Sequence, residues 1–146
     1  MFHKQLCVLH LARLENQAVA MALTGKTDHS HALIIDYFAV REDQRGKGVG
    51  TLFLESIKRW AKEQGTYKLL LIEVEAEDNH TNQKRTHFWA SMGFLETSYV
   101  HQYIWVPEPY RAMYLPLGNG LFSTDGKHLF SHITRFHKES FTKKET

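Results

Sequence analysis

Between residues 32 and 65 the chain changes its period. "ALIIDYFAV" (32–40) is rich in β-branched and aromatic residues and reads as a strand with one acid, Asp36, in its middle. A polar turn with glycines and basic residues follows, "REDQRGKG". Val49, Leu52, Phe53, Ile57, Trp60 and Ala61 then recur at three and four, the spacing of one apolar helix face. Glu55, Lys58, Arg59, Lys62 and Glu63 occupy the other face, and Gly65 supplies a left-handed stop. A strand that passes through a glycine turn into an amphipathic helix requires a sheet for the helix to cover.

The rest of the chain supplies that sheet. "QLCVLHLARL" and "NQAVAMALTG" form a hairpin across the turn-prone "ENQ", and "TGKTDHSH" is a loop. "YKLLLIEVEAE" is a buried strand that turns acidic, and "HTNQKRTHFWASMGF" is a shorter helix stopped at Gly93. "LETSYVHQYIWV" and "YRAMYLPL" are two strands parted by "PEP". "DGKHLFSHITRFHKESF" places Leu129, Ile133 and Phe136, with Phe130 and Phe141 nearby, at helical spacing. The order β-β-β-α-β-α-β-β-α predicts an α/β or α+β fold with a mixed sheet. A length of 146 residues suits one domain, 1–146, with 118–146 as a C-terminal extension carrying a helix. The last residues, "HKESFTKKET", are expected to fray.

Composition narrows the function. A net charge of +2 is too small to imply nucleic acid as a partner. No apolar run is long enough for a bilayer, and the N-terminus has no signal-peptide core, so no membrane is expected. The single cysteine, Cys7, cannot form an internal disulfide, which fits a reducing cytoplasm, and it reads as a small core residue. Ten histidines include the pairs His29/His31 and His128/His132, but neither has a third ligand at metal spacing, so no metal is expected.

The basic turn carries the chemistry. A helix start offers unpaired N–H groups and a partial positive charge. Glycines let a ligand come close, and Arg45 and Lys47 add charge. The combination describes a pyrophosphate cradle; a solvated surface turn is the other reading. It is not a P-loop, because no Lys precedes Thr51, and its glycine spacing fails the dinucleotide fingerprint.

"RGKGVG" (45–50) does match R/Q-x-x-G-x-G/A between a strand and a helix. Downstream come Asn82, the aromatic pair Phe88 and Trp89, then Gly93 and Phe94. In this order the motifs resemble the acyl-CoA site of the GCN5-related N-acetyltransferase (GNAT) superfamily, over about residues 32–94 with the hairpin before them. The resemblance implies a mostly antiparallel mixed sheet with a splayed central strand pair and flanking helices. It implies acetyl-CoA as co-substrate, entering the gap between the strands at 32–40 and 67–77. Phe38, Ala39 and Val40 would offer backbone bonds to the pantetheine arm. Arg45, Gly46, Lys47, Gly48, Val49 and Gly50 would hold the pyrophosphate through their N–H groups, and Asn82 would bond to the arm.

The implied activity is acetyl transfer to a primary amine of a small molecule or peptide by direct attack in a ternary complex. The alternative is an acyl-CoA-binding module with little catalysis. Asp36 is the candidate base, with residues 36, 38 and 40 on one face by alternation; a partly solvated strand residue is the other reading. Glu73 and Glu75 share a face of the next strand and could bind a cationic amine, Glu75 also reading as a solvated strand end.

Two departures from the family pattern stand out. Trp89 occupies the place of the Tyr that usually protonates the thiolate, leaving Ser91, His87, Tyr99, water or the amine to do so. The family's N-terminal helices, which wall the acceptor site, are not evident before the hairpin. That wall is expected from the C-terminal helix or from a second subunit; a homodimer through the C-terminal strands or helix would cover both the bare sheet and the helix stripe.

Overall fold

The computed structural model describes residues 7–27 and 30–142. Six strands form one sheet in the order β1-β2-β3-β4-β6-β5: β1 (Cys7–Leu14), β2 (Gln17–Gly25), β3 (Ala32–Val40), β4 (Leu69–Glu75), β5 (Leu95–Gln102) and β6 (Pro109–Pro116). Only β3 and β4 pair in parallel; the other neighbours are antiparallel. Among the described residues three α-helices, α1 (Val49–Gln64), α2 (His80–Ser91) and α3 (Gly126–Thr142), flank it, with a short 3-10 turn at Glu42–Gln44. This is the mixed, mostly antiparallel architecture that the sequence predicts, and the element order agrees throughout. Among the described residues no helix is long and apolar enough to cross a membrane.

Alternation along the strands builds two cores. Leu33, Ile35, Leu70 and Ile72 point to the side of α1 and α2, where they meet Leu54, Ala61 and Phe94. Ala32, Ile34, Leu69 and Leu71 point to the other side, where α3 lays down Leu129, Phe130, Ile133 and Phe136. Each of these four is 1% exposed. Burying an aliphatic or aromatic side chain of this size stabilises by about 1.5–3 kcal/mol, so the helix is held as part of the fold. The stripe expected either to fold back over its own sheet or to pack on a partner subunit is buried against this sheet. Cys7 is buried in the same core, and burial, with the nearby Asp36 charge, pushes its thiol up to about 11. It is a core residue, as the sequence predicts. His29 and the residues after 142 lie outside the described residues, as does the side chain of Phe141.

Two irregularities shape the centre of the sheet. β3 and β4 pair only from Ala32–Leu69 to Ile34–Leu71, after which the strands part. On its other edge β3 carries a bulge: Leu23 faces Tyr37 and Thr24 faces Ile35, so Asp36 has no partner on β2. An extra residue in one strand resets the alternation beyond it.

Candidate functional site

The helix that follows β3 begins without a side-chain cap. Gly48 is its N-cap, at φ +83 and ψ 3. Gly46 is also left-handed, at φ +76, so both turn residues take a conformation that L side chains rarely adopt. The first helical bond runs from the Leu52 N–H to the Gly48 carbonyl at 3.1 Å. The N–H groups of residues 46–51 find no partner in the described chain. Such a row of free donors at a helix start attracts an anion.

These donors open onto a cavity of about 700 Å³ whose walls include Phe38, Val40, Arg45, Gly48, Gly50 and Trp89. Lys84 and Arg85, on α2, also reach it. The sequence reading missed these two cations, although their spacing from the aromatic pair was visible. Arg45 is anchored, its Nε donating to the Val40 carbonyl at 3.1 Å. Lys47 and Val49 do not line the cavity, so any contribution from them passes through the backbone.

Strand pairing decides which β3 groups face the gap. The Arg41 N–H donates to Val19 at 2.7 Å, which makes 41 and 19 a hydrogen-bonded pair. In the continuous register back to Tyr37 and Leu23, Ala39 and Tyr37 then also bond to β2, while Phe38 and Val40 direct their N–H and C=O away from it. So Phe38 and Val40 present backbone groups to the opening, and Ala39 does not. Asn82 also differs from expectation. Its Nδ2 donates to the Glu77 carbonyl at 3.0 Å, and its N–H bonds to Asn79 Oδ1 at 2.9 Å. The side chain is buried and ties down the loop before α2 without lining the cavity.

Asp36 stands apart from Phe38 and Val40. Those two pack toward α1 beside Phe53 and Ile57, whereas Asp36 meets α3 on the other side of the sheet. The expectation that 36, 38 and 40 share a face fails because of the bulge. His137 Nε2, from α3, lies 3.2 Å from Asp36 Oδ1 and 3.8 Å from Glu73 Oε1. The Tyr103 hydroxyl donates to Glu73 Oε2 at 2.6 Å. Burial raises the Glu73 pKa above its ordinary range, opposed by the Tyr103 bond and the His137 charge. The hydrogen bond to Asp36 raises His137, helped by the Glu73 charge and opposed by burial. Glu75 stands outside this group, its Oε2 3.4 Å from Arg85 Nη1.

A second cavity, of about 760 Å³, lies on the α3 side and is lined by Tyr103, Trp105, Tyr110 and His137, among others. Asp36 and Glu73 line both cavities, so the two meet at this carboxylate pair. Of the three side chains that could replace the missing tyrosine as proton donor, none lines the first cavity. Ser91 bonds to the Phe88 carbonyl and Tyr99 to His101 Nδ1, while His87 lies outside the wall. Tyr37 is the one tyrosine that does line it. Among the described residues no group of His, Cys, Asp and Glu could hold a metal ion.

Comparison with known proteins identifies the family and the fold. The sequence model of the Acetyltransferase (GNAT) family matches residues 2–94. No curated protein sequence matches the chain. Among solved structures, a protein described as an acetyltransferase of the GNAT family from Desulfovibrio desulfuricans superposes with a TM-score of 0.67 at 16% identity, covering 77% of this chain and 69% of its own. The ribosomal-protein-S18-alanine N-acetyltransferase from Escherichia coli gives 0.64 at 20% identity, covering 82% and 76%. A protein described as a streptothricin acetyltransferase from Bacillus anthracis, solved in complex with acetyl coenzyme A, gives 0.62 at 21% identity, covering 75% and 62%.

Proposed function

The chain belongs to the GNAT acetyltransferase family, and from that premise we propose that it moves an acetyl group from acetyl-CoA to an amine held in the second cavity. The observation that carries this reading is the meeting of two cavities at Asp36 and Glu73. The first suits acetyl-CoA: it has free N–H groups for a pyrophosphate, cations at Arg45, Lys84 and Arg85, and outward backbone groups at Phe38 and Val40 for an amide-bearing arm. The second suits the acceptor.

The chemistry follows from the residues at the junction. An ammonium binds where carboxylates are, but only the neutral amine is a nucleophile. Asp36 takes the proton, directly or through water, while His137 holds its carboxylate in place. Glu73, fixed by Tyr103, completes the seat for the amine. A backbone N–H facing the gap, at Phe38 or Val40, can bond to the thioester oxygen as charge builds on it. Tyr37 supplies the proton that the departing thiolate needs. The nitrogen–carbon bond forms, the carbon–sulfur bond breaks, and no covalent enzyme intermediate is required.

Release of free CoA thiol from acetyl-CoA in the presence of an amine panel tests the proposal. Thiol release that depends on an added amine supports it. Tight CoA binding with no amine-dependent thiol release would instead make the protein an acyl-CoA-binding module.

A further inference from the structure

Granting acetyl transfer, the second cavity still has to select an amine, and its walls differ from what a polycation needs. Among the described residues two carboxylates reach it, Asp36 and Glu73, and two basic side chains reach it as well, Lys138 and His137. The basic side chains stand against the acidic ones. His101 is also in the wall, and burial lowers its pKa. A polyamine or an aminoglycoside would bring several ammonium groups to a wall where the described residues offer one pair of adjacent carboxylates.

The remaining wall is aromatic and aliphatic. Tyr103 packs its ring centroid 5.6 Å from Trp105 and 5.5 Å from Tyr110, forming a corner beside Glu73. Ile104 and Trp105, in the connection from β5 to β6, are 96% and 75% exposed. Two large apolar side chains side by side at the rim of a cavity gain most from an apolar ligand that covers them. A volume of about 760 Å³ is that of a small-molecule site.

Resting on the acetyl-transfer reading, we propose that the acceptor is a monoamine with an aromatic or branched apolar body. Its amino group sits at Asp36 and Glu73, and its body lies against Tyr103, Trp105 and Tyr110. One ammonium can sit at the carboxylate pair while further ammonium groups would find no second pair among the described wall residues, and aromatic faces favour both the cation and the body. The ammonium gives one proton to the carboxylate, forms the nitrogen–carbon bond and sheds its second proton to water, while the carbon–sulfur bond breaks and the thiolate takes a proton from Tyr37, which water restores.

Three acceptor classes separate the possibilities: 2-phenylethylamine, the polycations spermidine and tobramycin, and a short peptide with a free N-terminal alanine. The proposal expects kcat/KM for 2-phenylethylamine at least about tenfold above the others, the order of one well-placed aromatic contact. Preference for a polycation or for the peptide overturns it while leaving acetyl transfer intact. The variant Trp105→Ala lies on an exposed loop, so the fold is kept. It should raise KM for 2-phenylethylamine about tenfold more than KM for ethylamine; an equal effect on both overturns the assignment of the body site. If no amine releases thiol, calorimetry of 2-phenylethylamine into the CoA-loaded protein decides. Binding lost in Trp105→Ala keeps the site and refutes the transfer, and no binding refutes the site.

Discussion

Gly50→Ala isolates the anion cradle from the fold. Gly48 is the more obvious target, but at φ +83 any side chain there is strained, whether or not a ligand is bound. Left-handed backbone costs a non-glycine residue about 1–2 kcal/mol, so the chain of Gly48→Asp would lose stability as well as affinity. Gly50 is free of that problem. It sits in the first turn of α1 with ordinary helical backbone, and an added Cβ would lie 3.5 Å from Val40 Cγ2 and 3.7 Å from Phe88. Those are ordinary van der Waals contacts, so the protein alone does not demand glycine here. Replacing glycine by alanine in a compatible helical position stabilises by about 0.4–1 kcal/mol. For a chain of this length that corresponds to a rise in Tm of roughly 1–4 °C. The methyl group would, however, stand on the cavity side of the free N–H groups. Loss of one charge-assisted hydrogen bond to the pyrophosphate costs about 1.5–3 kcal/mol, or roughly ten- to 150-fold in Kd. The expected outcome is a protein slightly more stable without ligand that binds CoA much more weakly. Thermal unfolding without ligand and calorimetric titration with CoA measure the two effects. Parental affinity in Gly50→Ala would refute the placement of the phosphates, and a clear drop in Tm without ligand would show that the fold itself needs the glycine.

The remaining predictions concern the junction. Saturating acetyl-CoA should raise the Tm of the parent by mass action, and an unmoved unfolding curve would remove the central reading. Asp36→Asn should lower kcat with CoA affinity kept, and should flatten the acid limb of the pH–rate profile; an unchanged profile makes Asp36 structural. Tyr37→Phe should lower kcat about 100- to 10,000-fold at unchanged KM for acetyl-CoA, the usual worth of a positioned proton donor, and a parental kcat would return that role to water. For His137, whose pKa is raised on folding, the pairing stabilises the native state below the unfolded pKa, and this is lost as pH rises through the folded pKa. His137→Gln should therefore lose more stability at pH 5.5 than at pH 9 by denaturant titration, and an equal loss at both would mean that packing alone holds the helix.

Much of this arrangement is legible in the sequence because it is local. The period change at Val49, the glycine stop at Gly65 and the strand "ALIIDYFAV" depend on near neighbours, and their residues fall where the pattern places them. The apolar stripe of α3 is local as well. Where that stripe docks is not, since a hydrophobic face records that it must be covered and not by what. His137 follows directly after Phe136, a stripe residue, yet it meets Asp36, 101 positions earlier in the chain. Tyr103 reaches Glu73 across 30 positions in the same way. No spacing rule reports such meetings; they follow from the sheet order and from the side of the sheet that α3 covers.

The least legible feature, the bulge at Asp36, is also the one that makes the site. Strict alternation through β3 would put 36, 38 and 40 on one face, opposite Leu33 and Ile35, and would send Phe38 and Val40 toward α3. One extra residue reverses this. It leaves the carboxylate of Asp36 on the α3 side with His137 and Glu73, and it returns Phe38 and Val40 to the core of α1, beside the cradle. It also falls just beyond Ile34, where β3 and β4 cease to pair, so the backbone that the bulge re-aims is backbone that β4 does not cover. Polar groups left bare inside a fold cost free energy unless a partner satisfies them. Here the open edge lies along a cavity where a ligand's amide groups can do so. The open edge of the strand and the acid at its centre thus fall at the same place in β3. Deleting Asp36 would restore the one-to-one register of β3 with β2 and remove the carboxylate that meets His137.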